Sequence, residues 1–248
     1  MDEPMSLNAT NLTARLALGK AIGELFPEFF SSQDGEMFFV TLTEREHAVP
    51  LAEAANFDIN RVTDRLKQIL GDASHFGAVD VAYYPAGIDG VPTISWHAHA
   101  LVWETTRSEI SVRAAQSSYD SASYLPGCRW LDIAPAMKRK QRALYTVKGP
   151  VKEYYAYPVM REVTDMETGE LVRRPTGRFK QKKRRIRPGH FADLSEALSQ
   201  HTLPDLLTGA GEGTSLREEL LADTIEHLRR QDNAKLLKIR QTLGLAPP

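Results

Sequence analysis

Between positions 93 and 103 every second residue is apolar, and the residues between them include His97 and His99. Successive side chains of a β-strand point to opposite faces, so this pattern predicts a strand with one face in the core. The two histidines then lie side by side on the other face. Imidazoles at positions i and i+2 of a rigid strand converge on one point above the sheet, which suits two ligands of one metal ion. The predicted fold is organised around this strand.

Similar patterns predict three further strands and three helices, in the chain order strand 37–43, helix 58–70, strand 79–84, helix 108–117, strand 129–135 and helix 138–148. With the histidine strand included, the sequence predicts an α+β fold. Its core would be an antiparallel ferredoxin-like or RRM-like sheet with helices on one face. The open face would hold His97 and His99 together with Thr41 and Thr43.

The turn-rich stretch 85–90 joins strand 79–84 to the histidine strand, which predicts a hairpin. A pivot near Ile88 places Asp80 opposite Trp96 or His97. A carboxylate at that position is a candidate for the third metal ligand. Three residues that follow the first strand are rival candidates: Glu44, Glu46 and His47.

The helix predicted over 138–148 carries Tyr145 and Lys148 three positions apart, on one helical face. A phenol normally has a pKa near ~10, so a phenol that attacks a phosphate at neutral pH needs a neighbouring positive charge. Taken together with the two histidines upstream, Tyr145 is therefore a candidate nucleophile and Lys148 a candidate partner for its charge.

At this point the sequence resembles the HUH endonucleases, and among them the rolling-circle replication initiators. That family has an early strand that ends in Leu-Thr (here 38–43), a His-hydrophobic-His strand (His97 to His99) and a helix with Tyr-x-x-Lys (Tyr145 to Lys148). All three motifs occur here in the family's order, within residues 36 to about 150. The chain is similar to the single-tyrosine subclass, since Gln141 stands where a second tyrosine would be.

The resemblance implies an enzyme that nicks and rejoins single-stranded DNA at a specific site and so initiates rolling-circle replication or transfer of a plasmid, phage or mobile element. A Mg or Mn ion held by His97, His99 and an acid would polarise the scissile phosphate. Tyr145 would attack that phosphate and keep it as a 5′-phosphotyrosine, and Lys148 would stabilise charge. The partners would be single-stranded or origin DNA, with a host helicase and polymerase.

Two other functional classes compete with this interpretation. The first is a protein of the same fold that binds nucleic acid without chemistry. The second is a two-histidine phosphoesterase, which is disfavoured because such enzymes repeat a His-x-Thr or His-x-Ser motif and only one His-x-His occurs here.

The composition, with 42% hydrophobic residues in a 248-residue chain, is ordinary for a globular protein. No apolar run approaches the ~20 residues that a membrane span requires, and the acidic start does not resemble a signal peptide. We therefore expect a cytoplasmic protein that has no membrane partner. The single cysteine, Cys128, excludes an internal disulfide and a multi-cysteine zinc site, and it is expected to be a small buried residue.

The net charge of −1 hides a strong asymmetry. Residues 138–190 contain 16 Lys and Arg against 5 Asp and Glu, so they carry +11 and the remainder carries −12. Within this region a β-hairpin is predicted over 154–174, with its turn at 165–170. The most basic run, 178–187, suits contact with the phosphates of single-stranded DNA. Its candidate DNA-binding residues are Lys182, Lys183, Arg184 and Arg185, and Thr41 and Thr43 on the open sheet face are further candidates.

We divide the chain into an N-terminal helical segment (1–35), an HUH-like domain (36–160), a basic hairpin segment (161–190) and a helical C-terminal tail (191–248). The helix of the first segment is expected to pack through Leu12, Leu16, Ile22, Phe26 and Phe29. The glycine-rich stretch 209–213 is expected to be a linker. The helices after it would dock on the domain as an appendage or pair with a second copy of the chain to form a homo-oligomer.

Overall fold

The computed structural model describes residues 7–31, 35–117 and 121–242. Its helices are α1 (Leu12–Ser31), α2 (Asn60–Leu70), α3 (Arg107–Gln116), α4 (Arg139–Thr146), α5 (Pro188–Ser199), α6 (Leu203–Leu206) and α7 (Glu212–Thr242). Its strands are β1 (Phe38–Leu42), β2 (Ala48–Pro50), β3 (Ser74–Tyr84), β4 (Thr93–Trp103), β5 (Leu131–Pro135), β6 (Lys152–Thr164), β7 (Leu171–Arg185) and β8 (Leu207–Ala210). The predicted α+β class is confirmed. Positions 1–6 and 243–248 of the two predicted end segments lie outside the described residues.

The strands form one sheet in the order β5-β1-β4-β3-β6-β7, with β2 paired to β4 and β8 paired to β3. The pairs are antiparallel except for β3 and β6, which run parallel where Tyr83 is opposite Glu153. The prediction of a wholly antiparallel sheet was therefore wrong. The chain reaches β6 through β4, α3, β5 and α4, so no hairpin forces β6 to run against β3.

The registers of the central strands determine which residues lie opposite His97 and His99. The hairpin of β3 and β4 pairs Asp80 with His97 and Ala78 with His99, and β1 pairs Thr41 with His99. The predicted pairing of Asp80 is thus confirmed. Because directly opposed residues in an antiparallel ladder point to the same face, Asp80, His97, His99 and Thr41 share one side of the sheet.

Helices cover both faces of the sheet, so the prediction of helices on one face was wrong. The even-numbered residues of β4, such as Trp96, pack in a core with residues of α2, α3 and α5. On the other face, Leu101 and Trp103 pack in a second core with α1, α4 and α7. This second cover ends at α4, whose Tyr145 lies beside His99, and it leaves a cleft over the histidines.

The C-terminal segment belongs to the body of the fold. Leu216, Leu220 and Leu228 of α7 are buried in the second core. The predicted linker at 209–213 was wrong, because β8 ends in this stretch and α7 begins in it. A Cβ atom on Gly213 would collide with the backbone carbonyl of His75, so this glycine serves a close backbone approach.

Two predictions about single side chains need correction. Ile22 and Phe26 of α1 are buried as predicted, but Leu12 and Leu16 are 69% and 66% exposed, and Leu18 faces the core instead. Cys128 is exposed, not buried.

Among the described residues, no helix is both long and apolar enough to cross a membrane.

Candidate active site

Three buried side chains converge on the open part of the second face. One ligand atom each from Asp80, His97 and His99 lies within 4.8 Å of the others. The Nε2 atom of His97 is 4.0 Å from Oδ2 of Asp80. The two imidazole rings stand almost perpendicular, with their centroids 4.8 Å apart. The hairpin register and the strand alternation bring these residues together, as the sequence predicted.

Hydrogen bonds fix the orientation of both rings. Nδ1 of His97 lies 3.2 Å from the Ser95 carbonyl, and Nδ1 of His99 lies 3.0 Å from the Thr41 hydroxyl. Each Nδ1 is thereby occupied, which leaves each Nε2 available as a ligand atom, and Nε2 of His97 faces Asp80. Metal-binding histidines in proteins are held by such an outer hydrogen bond. Thr41, predicted to contact DNA, is placed by the structure as the partner of His99.

The side chains present at this site are suited to bind a divalent cation. Nε2 of His99 is buried and has no hydrogen-bond partner among the described residues, and a buried polar atom of this kind requires an explanation. Two imidazole nitrogens and one carboxylate form a ligand set that suits Mn and other divalent ions. His97, His99 and Asp80 are the residues that would hold the ion.

Burial lowers the pKa of His97, and the carboxylate of Asp80 opposes this effect in part. Burial also holds the pKa of His99 well below its usual value, with added repulsion from His97 and Lys148. Desolvation disfavours a charged imidazole, so both rings are neutral at pH 7. A neutral imidazole is the form that binds a metal ion.

Tyr145 and Lys148 reach the same place from α4 and the turn after it. The helix ends at Thr146, earlier than predicted, so Lys148 lies beyond it. Nζ of Lys148 nevertheless lies 3.6 Å from the centre of the Tyr145 ring and 3.2 Å from Oδ2 of Asp80. The ammonium therefore contacts the face of the phenol ring and links it to the carboxylate. The ring of Tyr145 also lies against His99, with centroids 5.1 Å apart.

The histidines and Tyr145 line a cleft of about 320 Å³. Its wall includes Arg142, which no sequence motif indicated, Tyr154 at the start of the predicted hairpin, and Lys183, which was predicted to bind DNA. Arg142 stands three positions before Tyr145, so helical spacing alone would have found it.

The pKa of Tyr154 is raised to about 12. The main cause is burial, and the nearby phenol of Tyr145 and carboxylate of Asp80 raise it further. The phenol of Tyr154 is therefore protonated at neutral pH.

Arg15 supports this arrangement from α1. It donates hydrogen bonds to the carbonyls of Ala9 and Val147. Val147 lies between Tyr145 and Lys148 in the chain, so Arg15 fixes the segment that presents both side chains. No pattern in the sequence connects Arg15 to a segment more than a hundred residues away.

The remaining residues that were predicted to contact DNA lie on different surfaces. Thr43 lines the cleft, as does Lys183 on β7. Lys182, Arg184 and Arg185 are exposed on the same strand. Strand alternation puts Lys182 and Arg184 on the face opposite to Lys183, while Arg185 shares the face of Lys183. The four basic residues therefore do not form one surface.

The rival metal ligands are not part of this site. Glu44 bonds to Arg65 of α2, and the ring of His47 lies against Phe57. Both partners belong to the α2 side of the sheet, whereas Asp80 shares the face of the histidines. The structure thus assembles Asp80 with His97 and His99, and it places Glu44, Glu46 and His47 elsewhere.

In comparisons with known proteins, no protein-family model matches the chain, and no curated protein and no solved structure matches it.

Proposed function

We propose that this protein is a metal-dependent nickase and strand-joining enzyme for single-stranded DNA, of the single-tyrosine HUH type. The observation that carries the proposal is the convergence of the Asp80, His97 and His99 cluster with Tyr145 in one cleft. A candidate nucleophile thus lies directly beside a candidate metal site. Such an enzyme would initiate rolling-circle replication or the transfer of a mobile element in the cytoplasm, with a host helicase and polymerase as partners.

The connectivity of the central elements supports this assignment. Apart from the three-residue β2, which lies between β1 and α2, the elements β1, α2, β3, β4, α3 and β5 follow the β-α-β-β-α-β order of ferredoxin-like folds. Their four strands pair in the antiparallel order β5-β1-β4-β3. The two histidines lie on β4, one of the two inner strands of these four. The remaining elements, including β6, β7 and α7, extend this core.

In the proposed reaction the phenol oxygen of Tyr145 forms a bond to phosphorus, and the bond between phosphorus and the 3′ oxygen breaks. In net terms the phenol proton moves to the 3′ oxygen, which leaves as a hydroxyl. The reverse attack by a 3′ hydroxyl rejoins the strand and releases the tyrosine. No nucleotide is consumed, because the energy of the broken bond is kept in the phosphotyrosine.

The charged residues around Tyr145 suit a phosphate. Lys148 lies over the phenol ring, where its positive charge would stabilise the negative charge of the attacking oxygen and the phosphate during the reaction. Arg142 and Lys183 line the cleft and are placed to meet phosphate oxygens. A divalent ion, when bound by His97, His99 and Asp80, would supply Lewis acidity to the scissile phosphate.

A direct test is to incubate the protein with a labelled random-sequence pool of single-stranded DNA and Mn, and to resolve the products on a denaturing gel. The parent protein is expected to cleave a subset of strands and to retain label as a covalent adduct. Tyr145→Phe should lose both products while its DNA binding stays within a few-fold. Tyr157→Phe is a matched control, since this tyrosine is 45% exposed on β6 and does not line the cleft.

One observation favours a second candidate, a catalytically silent DNA-binding protein. Lys148 already pairs with Oδ2 of Asp80, so an ammonium group compensates the carboxylate that would bind the metal. Under this alternative the parent protein binds the pool with equal affinity in Mn and in EDTA and yields no adduct. That result would overturn the proposed enzyme.

A further inference from the structure

We propose that Glu44, Glu46 and His47 form a second divalent-cation site, on the α2 side of the sheet and separate from the cleft. The three residues lie in and beside the short helical turn that follows β1, over Arg45–His47. The expected ion is zinc or manganese, and its role would be structural. The inference concerns other residues than the proposed reaction and does not depend on it.

The distances between the three groups are close to those of a metal site. Nε2 of His47 is 3.9 Å from Oε2 of Glu44 and 3.8 Å from Oε1 of Glu46. Zinc bonds of about 2.0–2.2 Å in a tetrahedral arrangement would separate the ligand atoms by ~3.4 Å. One ligand atom from each residue lies within 4.8 Å of the others, so side-chain shifts on the order of 1 Å would bring all three to a single ion.

Two of the three residues are buried with unsatisfied polar atoms. Glu44 is 2% exposed and His47 is 1% exposed. Within the described part of the chain, Oε2 of Glu44 and Nδ1 of His47 have no hydrogen-bond partner. A buried carboxylate oxygen in this state is costly unless a donor or an ion satisfies it. That oxygen is directed at Nε2 of His47, where an ion would satisfy it.

Arginines orient both carboxylates without using the atoms that face His47. Nε of Arg65 donates to Oε1 of Glu44 at 2.9 Å, and the Ser121 hydroxyl donates to the same oxygen at 2.8 Å. Arg61 lies 3.8 Å from Oε2 of Glu46. Each acid thus has one oxygen held by a cation and the other turned to the imidazole. Outer contacts of this kind are typical of the carboxylates that bind metals.

The donor set indicates the class of ion. Imidazole nitrogen suits zinc, and carboxylate oxygen also suits manganese, whereas calcium and magnesium prefer oxygen ligands alone. Burial lowers the pKa of His47 to about 4, so its ring is neutral at pH 7. A bound ion would tie the turn after β1 to α2 through Arg65 and to the cleft wall through Ser121, which is followed by Ser123, Tyr124 and Leu125.

The test measures zinc binding in a His97→Ala/His99→Ala background, so that the cleft site cannot contribute. Equilibrium dialysis with zinc is expected to find one ion per chain in this background, and zinc should raise its melting temperature. Adding Glu46→Gln removes one proposed ligand from a side chain that is 61% exposed, so the fold should survive. The loss of an outer partner of a metal ligand costs about 10–100-fold in affinity, and the loss of a ligand should cost at least as much.

Glu53→Gln is the matched control, because this exposed acid lies nearby in the chain but outside the cluster. It should leave zinc binding unchanged. The proposal is overturned if the His97→Ala/His99→Ala background binds no zinc, or if Glu46→Gln and Glu53→Gln reduce the affinity equally. Neither result bears on the proposed nickase, which depends on His97, His99 and Tyr145.

Discussion

The two halves of one face of β4 share the same strand backbone but differ in their side chains and in what covers them. His97 and His99 point into an open cleft, whereas Leu101 and Trp103, further along the same face, lie in a core under α1, α4 and α7. The same alternation positions all four side chains. The difference arises because the covering helices reach only part of the strand.

This comparison shows how a rigid site is built at the edge of a core. The apolar half fixes the strand by burial, since each large buried side chain contributes roughly 1.5–3 kcal/mol of transfer free energy. The polar half holds its imidazoles at the rim of that packing, where His99 stacks on Phe39 and both rings line the cleft. Function and stability should therefore be separable along a single strand, and the predictions below test that separation.

The largest expected effect is on the polar half. His97→Ala, or His99→Ala, should abolish metal-dependent cleavage and most of the Mn affinity, because one of about three ligands is lost. In the absence of metal the free energy of unfolding should fall by less than for the core change at Leu101, because each ring lies at the rim of the core. Calorimetric titration with Mn and urea unfolding in EDTA measure the two quantities. Equal Mn affinity in the parent and in the double variant would refute the metal site.

The converse change is Leu101→Ala on the apolar half. Leu101 is fully buried, so this change should lower the free energy of unfolding by about 2–5 kcal/mol. The Mn affinity of the folded variant should stay within a few-fold of the parent value. If Leu101→Ala removed Mn binding from protein that circular dichroism shows to be folded, the two halves would not be separable.

A smaller effect is expected on the pH dependence of stability. The pKa values of His97 and His99 are lowered in the folded state, so their contribution to stability is complete above the unfolded pKa of about 6.5 and is lost as the pH falls below it. Between pH 7.5 and pH 5.5 the loss should reach up to ~1.4 kcal/mol for each ring. Urea unfolding in EDTA should show a smaller loss for His97→Gln/His99→Gln. A loss equal to that of the parent would mean that the two rings are not held neutral.

The smallest effect concerns the basic strand β7. Each phosphate contact with single-stranded DNA contributes about 0.7 to the slope of log affinity against log salt. Lys183→Gln/Arg185→Gln, on the cleft face, should therefore lower this slope by up to ~1.4. Lys182→Gln/Arg184→Gln, on the opposite face, should lower it less. Equal changes in the two variants would show that the DNA path is not confined to the cleft side.

Sequence reasoning worked where the interactions are local and failed where they are distant. Strand alternation predicted the shared face of His97 and His99, and the short turn between β3 and β4 fixed the pairing of Asp80, because a hairpin leaves little freedom of register. The hairpin of β6 and β7 was also predicted, although both strands extend further. The predicted boundary at 160, between the HUH-like domain and the basic hairpin segment, falls within β6.

Other features depend on elements far apart in the chain. The cover of the second face by α1 and α7 could not be predicted, since the apolar residues of a helix do not indicate which surface they will bury. The contact of Lys148 with Asp80 joins residues 68 positions apart. The bond from Thr41 to His99 depends on the register of β1 against β4. Such contacts follow from the assembled sheet and leave no periodic pattern in the sequence.

The most direct measurement identifies the residue that carries the DNA. Trypsin cleavage after Arg142 and Lys148 places Tyr145 in the peptide 143–148, whereas Tyr154, Tyr155 and Tyr157 fall in the peptide 153–161. After incubation with the single-stranded pool and Mn, nuclease and trypsin digestion and mass spectrometry should find a nucleotide phosphate on the 143–148 peptide of the parent and of Tyr154→Phe. A nucleotide on 153–161, or no modified peptide while DNA is cleaved, would contradict the assignment of Tyr145 as the nucleophile.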